Sequence, residues 1–155
     1  MNKATGYGSP AQAAKEYLSQ AMKLDDLIDS SLRDIAYWRG KASTASGSSF
    51  DVRYNPNRPT EAPFVRCIEE IDEIQRNTAE LAEQYIKLRY EISRRINLLE
   101  DPDERRLLRR RYIDGYTWKQ IQDALHVSER TAFRIHDNAL AHFPMPDKKL
   151  AVNAG

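Results

Sequence analysis

The sequence predicts an all-α protein: a long antiparallel, coiled-coil-like helical hairpin followed by a C-terminal three-helix module that ends in a helix-turn-helix. Three observations predict it. Apolar residues recur at alternating spacings of three and four over 64–99, the heptad signature of a helix that buries a seam. A similar helical pattern occupies 11–40. Between 101 and 143, three sets of cap and stop signals follow one another with short apolar stripes between them.

Residues 1–9 are polar with two glycines and are expected to fray as a disordered tail. Pro10 opens the first helix, in which Leu18, Ala21, Met22, Asp25, Ile28, Leu32 and Ile35 form the stripe, with Leu24, Leu27 and Trp38 flanking it and Gly40 as the stop. Residues 41–63 hold Ser, Gly and three prolines without periodicity, and read as a loop that Phe50, Val52 and Tyr54 pin to the helices. The second helix, Phe64 to Leu99, carries Phe64, Cys67, Ile71, Ile74, Thr78, Leu81, Tyr85, Leu88, Ile92, Arg95 and Leu99 on its seam. Such a helix is roughly 54 Å long. Thr78 and Arg95 are polar interruptions that set register. Within 10–100 the first helix is the shorter, so part of the seam is expected to stay uncovered and to pair two copies as a homodimer.

The module 101–143 is the best punctuated stretch. Asp101 caps a helix with Pro102 at its first position and Glu104 at the capping-box position. Leu107, Leu108 and Tyr112 line that helix, and Gly115 supplies the left-handed residue that ends it. Thr117 caps a second helix, with Gln120 reciprocal to it and Trp118, Ile121, Ala124 and Leu125 as its apolar set. His126 and Val127 make the turn. Ser128 caps the third helix, with Ala132, Ile135 and Ala139 inward and Glu129, Arg130, Phe133, Arg134 and Asp137 outward. Ala124 and Ala132 are small enough to let two helices cross closely. Residues 144–155 read as a flexible tail.

Composition narrows the function classes. No apolar run approaches the roughly 20 residues that span a bilayer, and the first residues lack an apolar signal core, so a cytoplasmic protein without a membrane partner is expected. The one cysteine, Cys67, excludes an internal disulfide and reads as a buried thiol. There is no Walker loop, GxGxxG, HExxH or CxxC. His126, His136 and His142 share no ligand spacing and are expected at the surface or at helix ends. The acidic cluster Glu69, Glu70, Asp72 and Glu73 reads as a solvated face. No enzyme activity, cofactor or metal is therefore expected.

Net charge is only +1, so its distribution decides. Arg105, Arg106, Arg109, Arg110 and Arg111 form a basic run beside the helix-turn-helix, readable as a solvated face or as phosphate contacts. A helix-turn-helix lays its second helix in the major groove of double-stranded DNA. On that geometry Thr117, Lys119, Ser128, Arg110 and Arg111 are expected near the backbone. Glu129, Arg130, Thr131 and Arg134 would face base edges, Arg130 and Arg134 toward guanine. Phe133 either touches a thymine methyl or packs inward.

The stretch GYTWKQIQDALHVSERTAFRIHDNAL resembles the helix-turn-helix of bacterial sigma-factor region four, through Gly115, Thr117, Ile121, Leu125, Ser128, Ala139 and Leu140, with Leu107, Leu108, Arg111 and Tyr112 before it. Together with the short helical front, the chain is similar to phage late-transcription regulators of the ArpU and RinA type. That resemblance implies promoter recognition, contact with RNA polymerase and activation of phage or prophage late genes. Nothing here resembles the part of a sigma factor that melts the promoter, which points to an activator. The competing reading is a protein-interaction module whose hairpin grips RNA polymerase, sigma factor or phage packaging proteins, and a DNA-binding packaging subunit is a third.

Overall fold

The computed structural model describes residues 8–47 and 61–147. The expected tails over 1–7 and 148–155, and the pinning roles of Phe50, Val52 and Tyr54, lie outside those residues. All regular structure in the described residues is helical: α1 (Pro10–Gly47), α2 (Glu61–Ile96), α3 (Pro102–Leu108) running into a wide turn over Arg109–Ile113, α4 (Trp118–Leu125) and α5 (Glu129–His142). The long helices α1 and α2 pack against each other as an antiparallel pair. The chain forms two compact units, 24–85 and a second that joins 1–23 to 86–155.

Gly40 does not stop α1. The helix continues to Gly47, so residues 41–47 belong to it and not to a loop. A mid-helix glycine costs only about 1 kcal/mol, and the turns beyond it offset that cost. Ala42 is buried, and the Thr44 hydroxyl donates to the Gly40 carbonyl at 3.0 Å. At 38 residues against 36 for α2, α1 is not the shorter helix. The expectation that the first helix is the shorter one is thereby corrected.

In the 24–85 unit, α1 turns Leu24, Ile28, Ser31, Ile35, Trp38 and Ala42 inward, at a strict alternation of three and four. Asp25 and Leu32 face out, Leu32 with 53% of its surface exposed. The inward place falls to Ser31, whose hydroxyl is already satisfied by the Leu27 carbonyl. On α2, Cys67, Ile71 and Thr78 are buried, while Phe64 is exposed. Thr78 donates its hydroxyl to the Ile74 carbonyl at 2.6 Å, which lets a polar side chain sit on the seam without an unmet donor.

The other unit has one core drawn from every helix. Ala14, Leu18 and Ala21 of α1 and Ile92 and Ile96 of α2 are buried with Leu99, Leu107, Leu108, Ile121, Ala132, Ala139 and Leu140. Tyr17 lies 6.0 Å from the Phe143 ring. Arg95, on the expected seam, pairs with Glu91 at 2.7 Å and donates to the Pro144 carbonyl at 2.9 Å. The three-helix module thus shares its core with the starts and ends of the long helices. The α2 helix ends at Ile96, and Arg105 donates to the Leu99 and Glu100 carbonyls in the connection that follows.

Candidate nucleic-acid interface

The helices of the candidate interface are set by their caps. Asp101 accepts from the Asp103 and Glu104 amides, with Pro102 in the first turn. After Leu108 the ladder widens: the Asp114 N–H reaches the Arg109 carbonyl at 3.0 Å and the Tyr116 N–H the Arg110 carbonyl at 2.8 Å. Gly115 then turns the chain at φ 72, a conformation that favours glycine. Thr117 and Gln120 form the reciprocal capping box, at 3.2 and 2.9 Å. His126 ends α4 in the left-handed region at φ 54. Val127 and Ser128 complete the turn, and the Ser128 oxygen accepts from the Thr131 amide at 3.2 Å. Two capped helices joined by a tight left-handed turn, packed on α3, make the helix-turn-helix geometry.

The α5 helix buries Ala132, His136, Ala139 and Leu140, with Ile135 only half-buried. Glu129, Arg130, Arg134 and Asp137 stand on the opposite, exposed face. Among the described residues, neither Arg130 nor Arg134 is held by an ion pair or hydrogen bond, and the same is true of Lys119 on α4. Phe133 lies at the edge of that face. Its ring sits 4.6 Å from the Trp118 indole, yet 38% of its surface stays exposed. It packs inward on one side and is presented outward on the other.

The remaining expected contacts are spent within the fold. Thr117 and Ser128 act as caps, and Ser128 also donates to the Thr131 hydroxyl at 3.1 Å. Arg110 donates to the Tyr116 hydroxyl at 2.9 Å and lies over that ring. Arg111 donates to the Tyr116 carbonyl at 3.0 Å and lies 5.1 Å over Trp118. Arg109 reaches Ser93. The wide turn aims Arg110 and Arg111 at Tyr116 and Trp118, so Trp118 is packed by Arg111 and by Phe133. Ala124 is exposed, so Ala132 alone provides the small residue at the crossing.

One histidine departs from expectation. His136 is buried in mid-helix, its Nε2 2.8 Å from the Tyr112 hydroxyl and its ring edge-on to Trp118 at 5.0 Å. Burial lowers its pKa to about 4, with Asp137 opposing and Lys15 and Arg111 reinforcing the shift. Burial also pushes Tyr112 up to about 12. A neutral imidazole bonded to a neutral phenol leaves neither polar group unpaired in the buried site. His142 does end α5, and its Nδ1 donates to the Glu104 carboxylate, 3.0 Å from both oxygens. Glu104 is buried in that contact instead of closing the capping box. Its chemistry was visible in the sequence, but its partner lies 38 residues away.

The chain belongs to the family described as Protein of unknown function (DUF1492), whose model matches residues 43–143, more than half of the chain. No curated protein and no solved structure matches it. Among the described residues no helix is long and apolar enough to cross a membrane.

Proposed function

We propose that this member of the DUF1492 family is a sequence-specific DNA-binding transcription regulator that lays α5 in the major groove. The observation that carries the reading is the outer face of α5: Arg130 and Arg134 stand exposed, uncommitted and one helical turn apart. Paired arginines at that spacing suit bidentate contacts to guanine O6 and N7. Lys119 and the open first-turn amides of α4 and α5 suit phosphates. The likeness of 115–140 to sigma region four supports promoter DNA as the target. It also supports a phage or prophage late-gene activator, of the ArpU and RinA type, that touches RNA polymerase in the host cytoplasm. The test is fluorescence-anisotropy binding to fragments tiled across the chain's own genomic neighbourhood at several salt concentrations. One fragment preferred at physiological salt is the expected outcome. Weak, equal binding that vanishes with salt would reduce the site to a basic patch.

A second observation favours a protein partner for the other unit. Phe64, Val65 and Ile68 on α2 and Leu27, Leu32 and Tyr37 on α1 are large apolar residues left exposed. A homodimer through this outer surface of α2 fits a regulator that reads two half-sites. The alternative is a grip on RNA polymerase, sigma factor or a packaging protein. Sedimentation of the full chain separates a stable dimer from a monomer awaiting another partner.

A further inference from the structure

We propose that Phe133 is a specificity-determining residue that reads the 5-methyl group of a thymine beside the guanine contacts of Arg130 and Arg134. The inference rests on the DNA-binding reading above and names part of the sequence that α5 selects.

A phenylalanine exposed on a polar helix face is expected to fold back onto the protein or to disorder its ring. Phe133 does neither completely. One side of the ring rests on Trp118 at a centroid distance of 4.6 Å with the planes at 49°. Trp118 is itself fixed, by His136 edge-on at 5.0 Å and by Arg111 at 5.1 Å over the indole. The ring is thus held by a chain of packed groups that leads into the core, while 38% of the residue stays in solvent. Its position three residues after Arg130 and one before Arg134 places it at the margin of the face that carries both arginines.

A ring held in place and presented beside two guanidinium groups has one matching feature in the major groove. Guanine, adenine and cytosine show donors and acceptors there, for which an aromatic edge offers no partner. Thymine alone adds an apolar methyl group. Because Trp118 fixes the ring before binding, little side-chain freedom is left to lose on contact. The same placement penalises cytosine at that position, since its amino donor would be desolvated against the ring with no acceptor.

The test uses the full chain and duplexes selected by it from a randomised pool. Each thymine of the selected sequence is replaced in turn by deoxyuridine, which removes the methyl group and keeps the pairing. The expected result is one position per half-site at which uracil weakens binding about fourfold, the worth of one buried methyl-sized group. In Phe133→Ala and Phe133→Gln, thymine and uracil duplexes bind alike. If wild-type protein prefers the selected duplex over a scrambled one yet tolerates uracil at every position, the thymine contact is wrong and the DNA-binding reading stands. A uracil penalty that persists in both Phe133 variants also overturns it, by assigning the methyl to another side chain. If selection enriches no sequence, the DNA-binding reading falls and the Phe133 assignment with it. The uracil series on the wild-type chain needs no variant to fold.

Discussion

The two compact units bury their helices to different depths. The largest fully enclosed side chains, Leu18, Ile92, Ile96, Leu107, Leu108 and Ile121, all belong to the unit that holds α3, α4 and α5. In the 24–85 unit the buried residues Ile35, Ala42, Cys67, Ile71 and Thr78 keep 6–9% of their surface. The reason is geometric. Two helices side by side enclose a single line of contacts, whereas five helices meeting around one centre surround a side chain on all sides. The enclosed unit is the one that carries α5, the rigid support that the proposed reading surface would need.

Truncations should separate the units most strongly. Leu107→Ala removes a side chain with no exposed surface and is expected to cost about 4 kcal/mol in chemical denaturation. Ile71→Ala, at the edge of the helix pair, should cost about 2 kcal/mol. Equal costs would break the contrast. Native-state hydrogen exchange should agree, with amides of α3 and the end of α2 exchanging only through global unfolding and those of 24–85 exchanging sooner.

Acid should act on the enclosed unit. The folded state holds His136 near a pKa of about 4 against 6.5 when free. Unfolded chains therefore take up the proton first. The stability that His136 burial allows is full above about 6.5 and is lost progressively as the pH falls to about 4, by on the order of 3 kcal/mol. His136→Phe should flatten that part of the stability-against-pH curve. An unchanged slope would mean that the imidazole is not the group that titrates.

A smaller effect sits in the turn. His126 holds φ 54, where an L-residue is strained and glycine is not. His126→Gly should stabilise the fold by about 0.5–1 kcal/mol, visible as a higher denaturation midpoint with DNA affinity unchanged. Lost affinity would show that the imidazole itself is needed at the interface.

Local signals were legible in the sequence and long-range ones were not. The Thr117–Gln120 box, the Ser128 cap, the Asp101 cap and the Gly115 turn each depend on residues within a few positions, and the structure builds all four. The seam of α2 was legible too, because a repeat sustained over many turns averages out single polar residues. Gly40 misled because a glycine stops a helix only where the chain gains by leaving it. The wide turn after Leu108 has no sequence signature, yet it decides that Arg110 and Arg111 serve Tyr116 and Trp118. His136 and Glu104 could not be placed because each is defined by a partner on another helix, Tyr112 and His142. Within the candidate site, the exposed pair Arg130 and Arg134 followed from helical spacing alone. The resting of the exposed Phe133 ring on Trp118 depended on how α4 and α5 pack.

The most direct measurement compares two double variants on the fragment that the wild-type chain prefers. Arg130→Ala with Arg134→Ala should abolish the preference for that fragment over scrambled DNA, since each lost base contact costs about 1–3 kcal/mol. Val65→Glu with Ile68→Glu, on the open helix pair, should retain sequence preference at a single half-site. If the arginine variant keeps full discrimination while the α2 variant loses it, α5 is not the reading helix and the exposed surface of the helix pair is the functional one.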